Sequence, residues 1–293
     1  MTSTLTEKTI LITGANSGIG KAAAIQLAKL GATVIMACRS ADRGAAALSD
    51  IRSQSGNDKV DLKLVDLASQ SSIREFCADI LKKYHRLDVL IHNAANFDLT
   101  LKKPVITQDG VETIFATNHL APFLMTHLFL DCLKASAPSR IITVASKGLI
   151  TYPFLGMEFD NLNGERRFSA QHAYYLSKQA QVMFTYALAR RLSGTGVTVN
   201  CVRVANVAIP DDRLGHLTPF QKKIYTLKRR AALTPEQQAE TYVYLAGDPA
   251  VASISGGYWD EHNHQVKSNP KSYDLDLQER LWEVSQKLTG VSV

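Results

Sequence analysis

The chain alternates short apolar runs with longer amphipathic stretches almost from end to end. The runs fall at residues 9–13, 33–37, 61–65, 89–92, 140–145 and 197–202, with a weaker one at 257–259, and helical stretches of about ten to thirty residues separate them. Strands this predominantly apolar are expected to be covered on both faces, and connections this long are crossovers rather than hairpins. The pattern predicts an α/β fold in which helices pack on both sides of a parallel sheet. Thr234, Pro235 and Gln237 mark one helix start, with a capping hydroxyl, proline at the first helical position and glutamine three residues past the cap. No internal repeat, low-complexity block or Pro/Gly/Ser linker interrupts the series, so a single domain over residues 1–293 is expected. Two stretches, 148–171 and 205–233, depart from the alternation directly after strands. Ligands of open parallel sheets bind beyond the carboxyl ends of the strands, which makes both stretches candidate substrate walls.

Composition narrows the function classes. Apolar residues make up 45% and charged residues 20% of the 293, far from the composition of disordered or fibrous chains. Cys38, Cys77, Cys132 and Cys201 are scattered, without a C-x-x-C pair or zinc-finger spacing, and read as free thiols of a reducing, cytoplasmic compartment. No run of about twenty apolar residues could span a bilayer, and residues 1–8 lack a secretory core. The net charge of +6 permits a polyanionic partner without specifying one.

Directly after the first strand comes Thr13-Gly14-Ala15-Asn16-Ser17-Gly18-Ile19-Gly20, followed by a helical run. A strand turning through glycines into a helix start lets backbone N–H groups approach a pyrophosphate at the positive end of the helix dipole. Gly14, Asn16, Ser17, Gly18, Ile19 and Gly20 are therefore candidate nucleotide contacts. Dinucleotide folds often place a carboxylate at the end of the second strand to accept from the adenosine ribose. Here Arg39 stands there, with Arg43 close behind, and a guanidinium suits a 2′-phosphate, so NADP(H) is expected over NAD(H). The alternative is an arginine solvated at a helix N-terminus. Asp66, with Leu67, is placed for the adenine edge, or else as a helix cap ahead of Ser69.

Tyr174 and Lys178 stand four apart in a helical stretch and project from one face. Ser146 closes the fifth strand, and Asn118 interrupts an apolar helix. These groups suit hydride transfer coupled to proton transfer. A nearby ammonium and an oxidised nicotinamide would both favour the phenolate of Tyr174, which would exchange a proton with the substrate oxygen. Lys178 would tune Tyr174 and hold the nicotinamide ribose, and Ser146 would hydrogen-bond the substrate oxygen. Tyr175 would be turned about 100° away on the helix. Pro122 has no N–H for the carbonyl of Asn118, so that carbonyl is expected to be free for a water relaying protons from Lys178, unless the kink serves packing alone.

With these residues assembled, the chain resembles the short-chain dehydrogenase/reductase family over essentially its whole length. The matching pieces are TGANSGIG at 13–20, HNAA at 92–95, TNHLAPF at 117–123, the serine of VASKG at 144–148 and YYLSK at 174–178. MACRS at 36–40, NLNGERRFS at 161–169 and RLWEVSQKLTG at 280–290 make it most similar to the retinol-dehydrogenase-like and WW-domain-oxidoreductase-like branch. The resemblance implies a three-layer αβα Rossmann fold with a doubly wound seven-stranded parallel sheet, a nicotinamide cofactor, and reversible interconversion of alcohol and carbonyl. It also implies cofactor contacts from Asn93, Ala94, Ala95 and Val207, beside Tyr174 and Lys178. Relatives often pair through the helices that here contain Asn118 and Tyr174, so a homo-oligomer is left open. Membrane-bound relatives have an N-terminal anchor and none is read here, so no membrane anchor is expected.

Two departures bear on turnover. The family usually has Asn-Ala-Gly where Asn93-Ala94-Ala95 stands, so the Ala95 methyl must fit beside the cofactor ribose. It usually has Pro-Gly after the sixth strand, where Val204-Ala205-Asn206-Val207 stands, and losing both should move or loosen that loop.

Weaker signals are discounted. The carboxylates and His-x-His of residues 259–264 lack a third, distant ligand, so no metal is expected and a solvated loop is favoured. Lys222, Lys223, Lys228, Arg229 and Arg230 read as a solvated helix face rather than a site for an acidic substrate or membrane surface. Nothing argues for nucleic acid. The leading expectation is an NADP(H)-dependent oxidoreductase of a lipophilic alcohol or carbonyl, with Leu149, Ile150, Phe154 and Leu155 flanking the site. The alternative is a dinucleotide-binding scaffold with a non-redox role in sensing, partner binding or cyclisation.

Overall fold

The structure, a computed structural model, describes residues 4–207 and 232–291. Seven strands, β1 (Thr9–Thr13), β2 (Thr33–Cys38), β3 (Val60–Leu64), β4 (Val89–His92), β5 (Ser139–Ser146), β6 (Val197–Val204) and β7 (Tyr258–Trp259), form one sheet of order β3-β2-β1-β4-β5-β6-β7. Every neighbouring pair is parallel. This is the expected Rossmann-type arrangement, with the strand order reversing between β1 and β4. All seven apolar runs become strands, and β5 and β6 extend to include Ser146 and Val204.

Helices α1 (Gly18–Lys29), α2 (Ala41–Ser55), α3 (Gln70–Lys83), α4 (Thr113–Phe115), α5 (Ala121–Ala135), α6 (Ala170–Arg191), α7 (Pro235–Gly247) and α8 (Leu275–Thr289) surround the sheet. Because successive side chains on a strand point to opposite faces, Ile10 and Ile12 of β1 join Val34 and Met36 in a core with α1 and α7. Leu11 joins Ile35, Leu90 and Ile141 in a second core with α3, α5 and α6. All eight are at most 1% exposed. Hydrophobic burial of about 1.5 to 3 kcal/mol per large side chain holds the sheet between its helical layers.

The start of α7 is as expected. Thr234 Oγ1 accepts from Gln237 N (3.2 Å), and Gln237 Oε1 accepts in return from Thr234 N (2.9 Å). No helix among the described residues is long and apolar enough to cross a membrane.

At the amino-terminal edge of the sheet, away from the glycine turn, the buried Asp88 carboxylate accepts from Thr9 N (2.9 Å), Lys8 Nζ (2.9 Å) and Arg86 Nε (2.8 Å). These donors outweigh burial and hold its carboxyl below the ordinary 3.8. Asp88→Asn is expected to destabilise the fold by about 2 kcal/mol, read as a lower urea midpoint. A depressed carboxyl contributes stability above its unfolded value and loses it as pH falls through the folded one. The difference between wild type and variant should therefore be full at neutral pH and shrink in acid below 3.8.

Candidate active site

The reversal of strand order leaves a crevice between the carboxyl ends of β1 and β4, and the glycine turn lies across it. Gly14 adopts φ +69°, and a Cβ there would meet the Ala94 Cα at 3.0 Å. A Cβ on Gly20 would fall 2.4 Å from Asn93 Nδ2 and 2.5 Å from Gly14 O, so only glycine lets α1 start this close to β4. At Gly18, by contrast, a Cβ would meet nothing within 4 Å, so this part of the turn faces open space at the helix N-terminus. Asn16, Ser17, Gly18 and Ile19 are all partly exposed there. That combination, a tightly packed underside with backbone open above it, fits a bound pyrophosphate.

Asn93 lies beneath this turn. Its Nδ2 donates to Thr13 O (2.9 Å) and Gly14 O (3.3 Å), and its Oδ1 accepts from Tyr242 Oη of α7 (3.2 Å). The side chain thus braces the turn, where the resemblance implied a contact with the cofactor. Ala94 N donates to Thr13 Oγ1 (3.0 Å), while Ala95 is exposed.

Arg39 and Arg43 are exposed beside the crevice, and among the described residues neither makes an ion pair. Ser40 Oγ caps α2 by accepting from Arg43 N (3.4 Å). Asp66 Oδ1 accepts from Ala68 N (3.0 Å) and shapes the turn into α3, whose cap is Ser69. Leu67 packs against the second core.

Tyr174 and Lys178 share one face of α6, and Lys178 Nζ lies 5.6 Å from the Tyr174 ring centre. Lys178 is buried, and its Nζ donates to Val144 O of β5 (2.8 Å). Burial pulls its ammonium down to about 8. Burial also pushes the Tyr174 phenol above its usual 10, with the nearby Ser146 side chain opposing the shift. Ser146 Oγ accepts from Gly148 N (3.2 Å) as it caps the short turn Lys147–Thr151. Tyr175 points elsewhere as expected. Its ring covers Gly148, where a Cβ would meet the phenol oxygen at 2.4 Å, and packs against Tyr152.

Asn118 differs from expectation. A π-turn, Ala116–Leu120, precedes Pro122, and the donor that the proline cannot supply is replaced by Gln181 Nε2, 2.6 Å from Asn118 O. The expected free carbonyl for a relaying water is thus met by the protein itself. The Asn118 side chain clamps the segment after β4: Oδ1 accepts from Asn96 N (2.6 Å), and Nδ2 donates to Asn96 O and Ser177 Oγ (both 3.0 Å). Ser177 Oγ in turn donates to Tyr174 O (2.7 Å). This places the exposed Phe97 edge-on against Tyr174, ring centres 4.5 Å apart. Ser177 and Gln181 were missed from sequence, although both lie on the Tyr174 helix; a buried glutamine has no local signature.

The walls are also partly revised. Ile150 and Phe154 are exposed, but Leu149 is buried under β5 and Leu155 packs with Tyr175, so only two of the four apolar flanks face outward. Asn161 organises the rest of this excursion, accepting from Arg166 N and donating to Arg167 O (both 3.0 Å). After β6, Ala205 N donates to Gln238 Oε1 of α7 (2.9 Å). Val207 pairs with Leu233, and Leu233 N donates to Asn206 O (2.9 Å). The described part of this loop is therefore held, not loosened. The remainder of the 205–233 excursion, including the basic residues from Lys222 to Arg230, lies outside the described residues.

Residues 259–264 are not the expected solvated loop. Asp260 is buried, and its Oδ1 accepts from His262 N and His264 N (both 2.9 Å). Glu261 is ion-paired with Lys147 and with Arg203 of β6 (3.2 Å). Among the described residues no group of three or more metal-ligating side chains could hold an ion.

Residues 8–157 match the model of the short chain dehydrogenase family. The chain is 40% identical to human retinol dehydrogenase 14 (Homo sapiens), with 97% of this chain and 87% of that protein covered. Against human retinol dehydrogenase 13 the identity is 38%, covering 98% and 86%. An uncharacterised protein from Mycobacterium paratuberculosis superposes with a TM-score of 0.74 at 27% identity, covering 99% of this chain and 96% of that one. A short chain dehydrogenase from Shigella flexneri, crystallised with NADP, shares the fold at a TM-score of 0.67 and 22% identity, covering 89% of this chain and 100% of that one. The chain belongs to the short chain dehydrogenase family and is a retinol-dehydrogenase-like oxidoreductase.

Proposed function

We propose that the protein interconverts an alcohol and a carbonyl on a lipophilic small molecule, using NADP(H), with Tyr174, Lys178, Ser146 and Asn118 as the working set. The observation that carries this reading is a partly buried phenol with a buried ammonium 5.6 Å from its ring on the same helix face, at the carboxyl edge of the sheet where Ser146 closes β5. Val144 O, accepting from Lys178 Nζ (2.8 Å), holds the ammonium at the phenol, and burial draws it down to about 8.

The nicotinamide supplies or accepts the hydride when bound; the rest falls to the protein. The phenol stays protonated at neutral pH, ready to donate to a carbonyl oxygen as that oxygen gains charge. Ser146, held by Gly148 N, fixes the oxygen within reach of Tyr174. Asn118 keeps the segment bearing Phe97 against the Tyr174 ring, which excludes water from one side. The open glycine turn would hold the pyrophosphate, and the exposed guanidinium of Arg39, with that of Arg43, would meet a 2′-phosphate. Phe97, Ile150 and Phe154, all exposed around the site, favour an apolar substrate.

Mixing the purified protein with NADPH and a panel of aldehydes, ketones and quinones tests the reading, since some member should oxidise NADPH. Tyr174→Phe is expected to lower kcat by about 10² to 10⁴-fold while leaving the NADPH dissociation constant within about twofold. Activity surviving in Tyr174→Phe would favour the non-redox scaffold instead. Arg39→Ala should weaken NADPH by about tenfold or more while leaving NADH nearly unchanged, measured by cofactor fluorescence titration. Finally, kcat/KM for reduction should be level below pH 8 and fall above it as Lys178 loses its charge. Steady-state rates in neutral to alkaline buffers check this, and a plateau extending well past pH 8 would contradict it.

A further inference from the structure

Ser146 closes β5, and the next residue, Lys147, opens the turn that bears Gly148. On β6, Arg203 pairs in register with Ala145, and Val204 with Ser146. Glu261 joins the two strand ends: one carboxylate oxygen meets Lys147 Nζ and the other accepts from Arg203 Nε at 3.2 Å. Arg203 also approaches Asp260 at 3.7 Å. Glu261 is no ordinary surface partner, since its side chain is 5% exposed and that of Arg203 13%. The turn presenting it is pre-set. Asp260 Oδ1 holds the His262 and His264 amides, Asp260 N donates to His264 O (2.9 Å), and Thr241 Oγ1 of α7 donates to Asp260 O (3.4 Å).

We propose that Glu261 is a positioning residue for Ser146: by pulling Lys147 against Arg203 it sets the 146–148 turn, and with it the direction of the serine hydroxyl. The link is short. The Ser146 hydroxyl accepts from Gly148 N, one residue beyond Lys147, and the same serine closes β5 at the carboxyl edge where Tyr174 lies. Two cations and two carboxylates make up the cluster, so removing one carboxylate leaves Lys147 and Arg203 facing each other and drives the strand ends apart. The consequence for turnover rests on the function proposed above; the consequence for the hydroxyl does not.

Glu261→Gln keeps the size and removes the charge. It is expected to speed hydrogen exchange of the Gly148 amide about tenfold, because that proton is bound to Ser146 Oγ. It should also lower kcat about tenfold with the NADPH dissociation constant unchanged, the scale expected when a reacting group is misplaced by a fraction of an ångström. In a Ser146→Ala background the same change should alter kcat by less than about twofold, since the group it positions is already gone. Lys147→Met, which removes the more exposed partner, should move both readouts the same way by less, and serves if Glu261→Gln does not fold. The proposal is overturned if folded variants leave Gly148 exchange and kcat at wild-type values, or if Glu261→Gln costs as much in the Ser146→Ala background as in wild type. A wild type inactive with every carbonyl would sink the proposed function instead, and faster Gly148 exchange in Glu261→Gln would still support the positioning role.

Discussion

The carboxamide of Asn93 is the point on which the cofactor side of the molecule depends. It ties the end of β4 to the end of β1 through Thr13 O and Gly14 O, and to α7 through Tyr242. These groups meet where the strand order reverses, so no ladder hydrogen bond is available beyond Ile12 and Ile91 to hold the crevice at a fixed width. A side chain with two donors and an acceptor does so instead. Gly20 and Gly14 then pack against that carboxamide and its neighbour with no space for a Cβ. The open backbone above the turn exists because everything beneath it is filled.

A second clamp of the same chemistry governs the other half of the site. Asn118 holds both polar groups of the Asn96 peptide and passes through Ser177 to the carbonyl of Tyr174. Its own carbonyl, released from the helical ladder by Pro122, is met by Gln181. Buried polar groups of this kind are stabilising only when they find partners, and both polar groups of the Asn118 carboxamide and its backbone carbonyl do so here through α6 or the segment after β4. The proton-transfer groups are therefore arranged by backbone contacts as much as by their own side chains.

What sequence could and could not show follows from the range of the interactions. Strand positions, the glycine turn, the capping of α7 and the shared face of Tyr174 and Lys178 are local consequences of periodicity, turn chemistry and helix geometry, and each was legible within a few residues. Gln181 on Asn118, Gln238 on Ala205 and Glu261 on Lys147 join residues 63, 33 and 114 positions apart. Nothing in the local pattern distinguishes them from polar residues on a solvated face. The bare carbonyl expected at Asn118 has this origin. Pro122 was visible, and the distant amide that answers it was not. Leu149 was misread for a related reason: an apolar residue after a strand can turn into the core as readily as toward a ligand.

Helix α7 has a further mechanical meaning. Gln238 and Tyr242 stand one helical turn apart, about 6 Å along the axis. The first holds the loop after β6 and the second holds the carboxamide beneath the glycine turn. One rigid rod thus sets the spacing between the two sides of the cleft. Neither side can shift along the helix without displacing the other, so opening and closing of the cleft would be felt at both sides together rather than at either one alone.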